Sequence, residues 1–564
     1  MDHAAPRIAG LALDRFFDAY YRRRPVTATF TGVHDHDRAL PDWSPEGLAD
    51  TVAEMRTLRR ELDTAGRVAD EDVQEFPAHV DLTLADAFLE IQIAEHEGPH
   101  FYRGNPSLWS GEAIFSVIGL VTRDFAPIGA RLSAAVARMQ AIPGFLAQAP
   151  RTIAAVPTDW RDKALRECDA AEVLFGRTLP EWIGAQPDAP DDAAAACETA
   201  REAFSRFKTW VKETLPATPP GTESVGPEML SLLLRRGHWC RTSAGDLFHD
   251  AEQALAEAHA GLSERLATAG FATWADAQAA LVAERPSADD YLPRFQRTWQ
   301  RCYDATIAAD LVTWPDRPLR YVPIPAHTRE AAPLLYYLFY RSPAAFDRLP
   351  IHDYVVTPID GVSDDERARR LAAANDSTIL LNHVVHHGGL GHHVQNAHAY
   401  ASASRIGQIA AIDAASRIAM FSGGTMAEGW ACYACDLAEE IGLLTPLDQV
   451  AQQHTRVRLA ARAVTDLALH TGRFTLAGAA QFYETRGLMP PAAAGSEAVK
   501  TSMFPGTMVM YWLGTREIHH LRGVRRTAEG AGFSPKRFHD ELLGHGAIPV
   551  ALIARLMTQG IESR

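Results

Sequence analysis

The sequence predicts a mostly α-helical protein with a minor β element. Alanine-rich segments of mixed charge recur along the chain, and their apolar residues return every three or four positions, which is typical of amphipathic helices. Strand-like alternation of apolar and polar residues is rare. Hydrophobic residues make up 47% of the chain and charged residues 22%, which is ordinary for a globular protein.

The helical pattern is clearest in six segments, and two short segments have the alternation of a strand. Helices are expected over residues 45–65, 80–97, 128–149, 191–213, 244–269 and 275–284. Strands are expected at 319–324 and 354–358. Proline and glycine interrupt the pattern at 215–222, 314–325 and 489–495, where loops are expected.

The length of the chain predicts more than one structural unit. A protein of 564 residues exceeds the size at which a single core stops growing, so two or three subdomains are expected. We predict a helical N-terminal region at residues 1–215 and a catalytic region at residues 216–564. The boundary is approximate, since helical proteins of this size often interleave their halves.

Charge and composition limit the binding partners and the cellular location that we expect. Lys and Arg number 55 against 70 Asp and Glu, and the net charge of −15 argues against nucleic acid, because phosphate contacts need clustered basic residues. No apolar stretch reaches the ~18 residues that cross a bilayer, and no signal peptide is apparent. The six cysteines are scattered, which indicates reduced thiols. A cytoplasmic protein without membrane contact is expected.

A cluster of five histidines between positions 383 and 393 is the strongest sign of chemistry, because histidine is the commonest metal ligand. On a regular helix, His392 would lie about 120° around the axis from His386, and His393 would lie roughly 10 Å further along it. Neither could share one metal ion with His386 on an undistorted helix. The glycines within 388–391 favour a break that brings a second imidazole back.

The histidine cluster resembles the His-Glu-x-x-Pro-Gly-His-His-x-Gln motif of the domain-of-unknown-function 885 (DUF885) family, which is regarded as a branch of the zinc-peptidase (gluzincin) group. The matching positions are His386, Gly391, His392, His393 and Gln395. Leu390 stands where the family has proline, and His387 stands where it has the glutamate.

Further motifs resemble the same family, in the same order, along residues 216–560. Residues 427–435 resemble Glu-Gly-Trp-Ala-x-Tyr-Ala-Glu, with Cys435 for the second glutamate. The other resemblances are the helix positions Arg462, Asp466 and His470, the Pro-Gly-Gln-x-x-x-Tyr-x-x-Gly element at 505–514 with Thr507 for glutamine, and the closing Phe-His, Leu, Gly, Pro element at 538–549. Five motifs in order make the resemblance far more specific than one.

The resemblance implies a zinc site in a deep cleft, on a helical scaffold like that of thimet oligopeptidase. The metal ligands would be His386, one of His392 and His393, and Glu428 as the third. Cys435 departs from the family pattern, and its thiolate could enter the metal shell instead.

The resemblance also implies catalytic residues. Tyr511 would hydrogen-bond the developing oxyanion, and His470 and Arg516 would support the site or contact a substrate carboxylate. The general base of the family would lie at position 387. An imidazole there can accept a proton near neutral pH, although a neighbouring divalent cation disfavours its protonated form. His387 could alternatively bind the metal, in a histidine-rich site suited to zinc, iron or copper.

Three functions stay open on the sequence. The first is a zinc-dependent hydrolase of a peptide or other amide bond with an altered base. The second is a metalloenzyme of changed, non-peptidase chemistry, redox or biosynthetic. The third is a non-catalytic pseudoenzyme that keeps the cleft. A small molecule or a short peptide is the expected substrate, and a homodimer is left open as the assembly.

Overall fold

The computed structural model describes residues 4–70, 77–219, 221–332, 343–347, 349–410, 413–414, 417–418 and 420–558. Helices account for 71% of the structure and strands for 2%, which confirms the mostly α-helical prediction. One small sheet pairs β1 (Leu319–Pro323) with β2 (His352–Val356) in parallel. Another pairs β3 (Asp413–Ala414) with β4 (Arg417–Ile418) in antiparallel fashion.

The helices follow one another with short connections. In chain order the α-helices are α1 (Ala4–Arg23), α2 (Pro25–Thr31), α3 (Pro45–Asp70), α4 (Ala78–Glu97), α5 (Pro106–Val121), α6 (Ile128–Leu146), α7 (Ala149–Thr152), α8 (Thr158–Val173), α9 (Leu179–Gly184), α10 (Ala193–Glu213), α11 (Pro227–Leu232), α12 (Ala244–Thr268), α13 (Trp274–Ala283), α14 (Tyr291–Ala308), α15 (Ala326–Arg329), α16 (Asp364–Ala373), α17 (Asp376–Thr378), α18 (His392–Tyr400), α19 (Arg405–Ile409), α20 (Gly424–Glu440), α21 (Pro446–His470), α22 (Leu476–Thr485), α23 (Pro491–Met503), α24 (Val509–Glu529), α25 (Pro535–Gly544) and α26 (Val550–Thr558). Wider π-helical turns form π1 (Leu174–Thr178), π2 (Leu233–Gly237) and π3 (Ile379–Gly388), and short 3₁₀ turns lie at Phe421–Gly423 and Gly530–Gly532.

The expected elements are present. The six expected helical segments coincide with α3, α4, α6, α10, α12 and α13 within a few residues at each end. The two expected strands overlap β1 and β2 and pair with each other, with Tyr321 opposite Tyr354. Local chemistry accounts for the ends of the helices. Thr445 and Asp448 form a capping box at the start of α21, and Pro446 occupies its first position.

The hydrophobic core draws on both predicted regions. One buried cluster extends from Ala9 in α1 to Met557 in α26, and a second packs α12 against α21. Helix α20 is buried along nearly its whole length, with Trp430 and Tyr433 fully buried. The division near residue 215 stays a prediction.

Helices α20 and α24 pack closely at a pair of glycines. A Cβ on Gly429 would lie 2.6 Å from Gly514 Cα, and a Cβ on Gly514 would lie 2.0 Å from the Thr425 carbonyl oxygen. Only glycine allows the two backbones to approach this closely. The contact brings Glu428 of α20 and Tyr511 of α24 to the wall of the same cavity.

Candidate metal centre

The histidine cluster lies where π3 ends and the chain turns back on itself. His386 and His387 occupy the last turn of π3, and α18 begins at His392 after a glycine-rich turn. The Gly391 N–H donates to the Val385 carbonyl at 2.7 Å, and a Cβ on Gly391 would lie 2.0 Å from the His386 carbonyl oxygen. Glycine is therefore required in this turn. The helix break expected from the glycines is present.

The turn brings together His386, His387 and His392, which we call the histidine group. One ligand nitrogen from each lies within 4.8 Å of the other two. The ring centroids of His386 and His392 are 4.9 Å apart. Glu428 approaches from α20, and its Oε2 lies 3.5 Å from Nε2 of His386 and 3.5 Å from Nε2 of His392. The three imidazoles therefore meet at one place, and the Glu428 carboxylate contacts two of them.

Glu428 is an ionised carboxylate in a largely buried position. Burial alone would raise its pKa, but the imidazoles of His392 and His386 hold the pKa well below its usual range. Both imidazole contacts are longer than good hydrogen bonds, and within the described ranges the buried Oε2 has no hydrogen-bond partner. A buried carboxylate oxygen in this state is unfavourable unless a cation binds it.

His387 is oriented by its own helix. Its Nδ1 lies 2.6 Å from the Asn382 carbonyl oxygen. A carbonyl oxygen only accepts hydrogen bonds, so Nδ1 carries the proton and Nε2 carries the lone pair of the neutral ring. Burial, together with the neighbouring His386 and His392, holds the pKa of His387 well below its usual value, so the ring is neutral at physiological pH.

His393 lies outside the histidine group. Its Nε2 lies 2.7 Å from the Arg317 carbonyl oxygen. Successive residues of an α-helix point about 100° apart, so His392 and His393 at the start of α18 face different surroundings. Of the two alternatives left by the sequence, the structure brings His392 to Glu428. The geometry favours His392 over His393 as the second histidine ligand, and the choice between them stays a prediction.

Two further residues near the histidine group, His383 and Cys435, form hydrogen bonds outside it. The Tyr354 hydroxyl oxygen lies 2.7 Å from His383 Nδ1. Cys435 Sγ donates to the carbonyl oxygens of Leu381 at 3.5 Å and Ala431 at 3.6 Å. Burial raises the pKa of the Cys435 thiol, which favours its protonated, hydrogen-bonded form.

His470 and Arg516 are not among the residues that line the cavity, and their predicted roles in supporting the site stay predictions. His470 is fully buried; the Val225 N–H donates to its Nδ1 at 3.1 Å, and its Nε2 donates to the Thr501 carbonyl at 3.1 Å. Arg516 pairs with Asp250 at 2.8 Å on the surface. Both side chains hold helices together, because their polar atoms already have partners away from the cavity.

A cavity of about 780 Å³ opens beside the histidine group, a volume suited to a small ligand. Tyr511 lines it, as does Arg462, whose guanidinium carbon lies 5.0 Å from the centroid of the Tyr511 ring. Among the described residues that line this cavity, Glu428 is the one that carries a carboxylate. The site therefore combines a carboxylate with imidazoles at one end and a cationic wall on α21.

Asp466 positions the helix that carries Tyr511. Its carboxylate accepts the backbone N–H groups of Gly506, Met508 and Val509 at 3.0, 2.9 and 2.9 Å. These groups lie at the start of α24, where helix N–H groups lack partners in their own helix. Asp466 therefore fixes the first turn of α24, two residues before Tyr511.

Sequence reasoning missed Arg458, which lines the cavity on α21. Arg458 precedes Arg462 by four residues, and residues four apart share one face of a helix. That spacing is the signal in the sequence that could have revealed it.

Comparison with solved structures shows the same fold in two bacterial proteins. A candidate lipoprotein of unknown function from Shewanella oneidensis is 20% identical, with a TM-score of 0.73 over 99% of this chain and 100% of that chain. A candidate lipoprotein from Colwellia psychrerythraea is 15% identical, with a TM-score of 0.76 over 100% of both chains. At these identities the likeness shows the fold alone. No curated protein matches the sequence.

These comparisons also bear on location and family. The prediction of a cytoplasmic protein is contradicted, because both similar structures are described as candidate lipoproteins, a membrane-anchored class, and we withdraw it. Over the residues that are described, no helix is both long and apolar enough to cross a bilayer. The signature of the family described as "Bacterial protein of unknown function (DUF885)" matches residues 25–557, and the chain therefore belongs to the DUF885 family.

Proposed function

We propose that this protein is a metal-dependent hydrolase of a peptide or other amide bond, on a scaffold related to thimet oligopeptidase and the gluzincin zinc peptidases. The observation that carries the proposal is the meeting of His386, His392 and Glu428 beside the 780 Å³ cavity. Two imidazoles and one carboxylate are the protein ligands of a well-known class of zinc hydrolases. The altered motif, with His387 in place of glutamate, is part of the same proposal.

The residues present fit a zinc ion. Two atoms that bind one tetrahedral ion at ~2.1 Å lie about 3.4 Å apart. Glu428 Oε2 lies 3.5 Å from Nε2 of each imidazole. Burial lowers the pKa of His386 against the opposing effect of Glu428, which keeps its ring neutral. A neutral imidazole and an ionised carboxylate are the forms that bind a metal.

When bound, zinc supplies a Lewis acid that activates water at neutral pH. The chain's own side chains do the remaining work. The lone pair on His387 Nε2 can accept a proton from the attacking water. Burial and the neighbouring histidines hold the pKa of His387 low, so a ring that has accepted this proton passes it on easily to the departing amine. An imidazole becomes positively charged when it accepts the proton beside a cation, whereas a carboxylate becomes neutral, so we expect a slower hydrolase than one with glutamate at position 387.

Tyr511 supports the stabilisation of negative charge in this proposal. Its phenol group can donate a hydrogen bond to the oxygen that becomes negative when the amide is attacked. Arg462, 5.0 Å from the ring, favours that donation by its positive charge. Arg462 is itself held by an ion pair with Glu497.

A second candidate, a metalloenzyme of changed chemistry, is favoured by one observation. His387 lies in the histidine group, within the same 4.8 Å limit as His386 and His392. If His387 binds the metal, the site has three imidazoles and a carboxylate, a ligand set that suits iron or copper as well as zinc. Redox or biosynthetic chemistry would then replace hydrolysis.

The test is amine release from a panel of N-acetylated dipeptides and simple amides by the zinc-loaded protein. The proposal predicts release that requires zinc and is lost in Glu428→Gln, which keeps the size of the side chain but removes its charge. Arg473→Gln is the control, because Arg473 is exposed and stacks on Phe248 away from the cavity. A zinc-loaded protein that releases no amine, or a fully active Glu428→Gln variant, contradicts the proposal. Iron or copper retained on purification favours the second candidate.

A further inference from the structure

Arg458 differs from the other arginines of α21. It lines the cavity, and its buried Nε has no hydrogen-bond partner among the residues that the structure describes. Two residues earlier, Arg456 pairs with Asp436 at 2.6 Å and Glu439 at 2.9 Å. One turn later, Arg462 pairs with Glu497. Among the described residues, no carboxylate forms an ion pair with Arg458.

The surroundings of Arg458 make an unpaired charge unfavourable. Burial lowers the pKa of Arg458, and the positive charge of Arg462 lowers it further. Glu497 acts electrostatically on Arg458 but forms its ion pair with Arg462, and the charges of Arg462, Lys500 and Arg458 bring its pKa to about 2 against the effect of burial. An uncompensated guanidinium in such a place is stabilised when an anion enters.

The position of Arg458 relates it to the proposed reaction site. Residues four apart in a helix are about 6 Å apart along its axis, so Arg458 lies one turn from Arg462. Arg462 lies beside Tyr511, and both line the same cavity as His386. A ligand that reaches from the histidine group past Tyr511 therefore meets Arg458 next along α21.

We propose that Arg458 binds a carboxylate of the substrate, so that this protein prefers amides or peptides that carry a free carboxylate near the scissile bond. The inference rests on the proposed amide hydrolysis and names its substrate class. A guanidinium is a planar fork that binds a carboxylate through two parallel hydrogen bonds. Glu428, the one carboxylate among the described lining residues, lies with the histidine group and does not pair with Arg458.

The experiment compares binding of N-acetylglycylglycine with binding of its uncharged C-terminal amide, by calorimetry on the full-length, metal-free protein. We expect the acid to bind at least ~10-fold more tightly than the amide, because charge-assisted, two-point hydrogen bonds are among the strongest in proteins. The preference is expected to vanish in Arg458→Gln and to persist in part in Arg458→Lys, which keeps the charge but loses the fork. Arg473→Gln, the surface control, keeps the full preference.

Several outcomes overturn the inference. One is a preference of Arg458→Gln for the acid that equals the preference of the native protein. Another is that the native protein shows no preference. The third is that inorganic phosphate binds through Arg458 while the acid does not. Thermal melts of each variant show whether it folds, and the Arg458→Lys variant tests the inference if Arg458→Gln does not. Zinc-dependent hydrolysis is measured in parallel. A carboxylate preference without hydrolysis supports carboxylate binding by Arg458 and rejects the proposed hydrolysis. Hydrolysis without the preference supports the proposed hydrolysis and rejects carboxylate binding by Arg458.

Discussion

The Nδ1 atom of His387 lies 2.6 Å from the carbonyl oxygen of Asn382, five residues earlier in the chain. The two residues lie in π3, where the backbone turns are wider than in an α-helix. The contact fixes which nitrogen of His387 carries the proton and leaves the lone pair on Nε2. His387 is thus held in one tautomer, in which Nε2 can either accept a proton or bind a metal.

Substitution of His387 separates these two roles. His387→Glu places a carboxylate at this position, and we expect it to increase kcat/KM for zinc-dependent amide hydrolysis by roughly 10-fold or more, since a positioned base contributes about 10²–10⁴-fold. His387→Ala is expected to lower kcat/KM while the zinc content stays at the native level. Loss of zinc from His387→Ala would instead show that His387 is a ligand, which favours the second candidate function.

Gly391 is expected to control metal affinity without touching the metal. Its missing Cβ leaves room for the His386 carbonyl oxygen, which would otherwise lie 2.0 Å away. Gly391→Ala should displace His392 and weaken zinc binding by about 10–100-fold, as substitutions behind metal ligands do. Competition with a chelator measures the affinity.

The matched control for Gly391→Ala is Gly495→Ala. Gly495 lies in α23 and has open space around its Cβ position. This variant should bind zinc as the native protein does and be slightly more stable, by roughly 0.5–1 kcal/mol. Native zinc affinity in Gly391→Ala would show that the turn does not position His392.

Much of the fold could be predicted because it depends on local sequence. The period of apolar residues predicts helices such as α10 and α12, and the alternation at 319–324 predicts β1. The parallel pairing of β1 with β2 could not be predicted, because it joins segments more than 30 positions apart, Leu319 with His352. Long-range contacts of this kind leave no periodic signal in a single sequence.

Prediction of the candidate site from the sequence is limited in the same way. Three glycines predicted the break after His386, but the choice of His392 over His393 depends on where α18 begins. Trp430 helps to fix that point, since its Nε1 donates to the Leu390 carbonyl at 2.9 Å. His470 matched a family motif, but a motif does not report which way a side chain points.

His34 gives a prediction for the dependence of stability on pH. Its Nδ1 lies 2.8 Å from Asp37 and its Nε2 lies 2.9 Å from Asp347. Burial would lower its pKa, but the hydrogen bonds to Asp347 and Asp37 raise it to about 9. Because this value exceeds the pKa of about 6.5 in the unfolded chain, the stabilisation is complete below about pH 6.5 and is lost as the pH rises through about 9.

We therefore expect His34→Gln to lower the melting temperature more at about pH 6 than at about pH 9.5. Thermal unfolding of both proteins at the two pH values measures this difference. His249→Gln is the control, since the His249 side chain is 71% exposed. A His34→Gln effect that is equal at both pH values, or larger at the higher one, would contradict the assignment.

The central claim is that His386, His392 and Glu428 form a metal site. Diffraction data from zinc-loaded crystals, collected on both sides of the zinc absorption edge, test it most directly. The account predicts an anomalous peak at ~2.0–2.2 Å from Nε2 of His386, Nε2 of His392 and a Glu428 oxygen. A peak at His393 in place of His392, or no peak in this cavity after zinc loading, would contradict it.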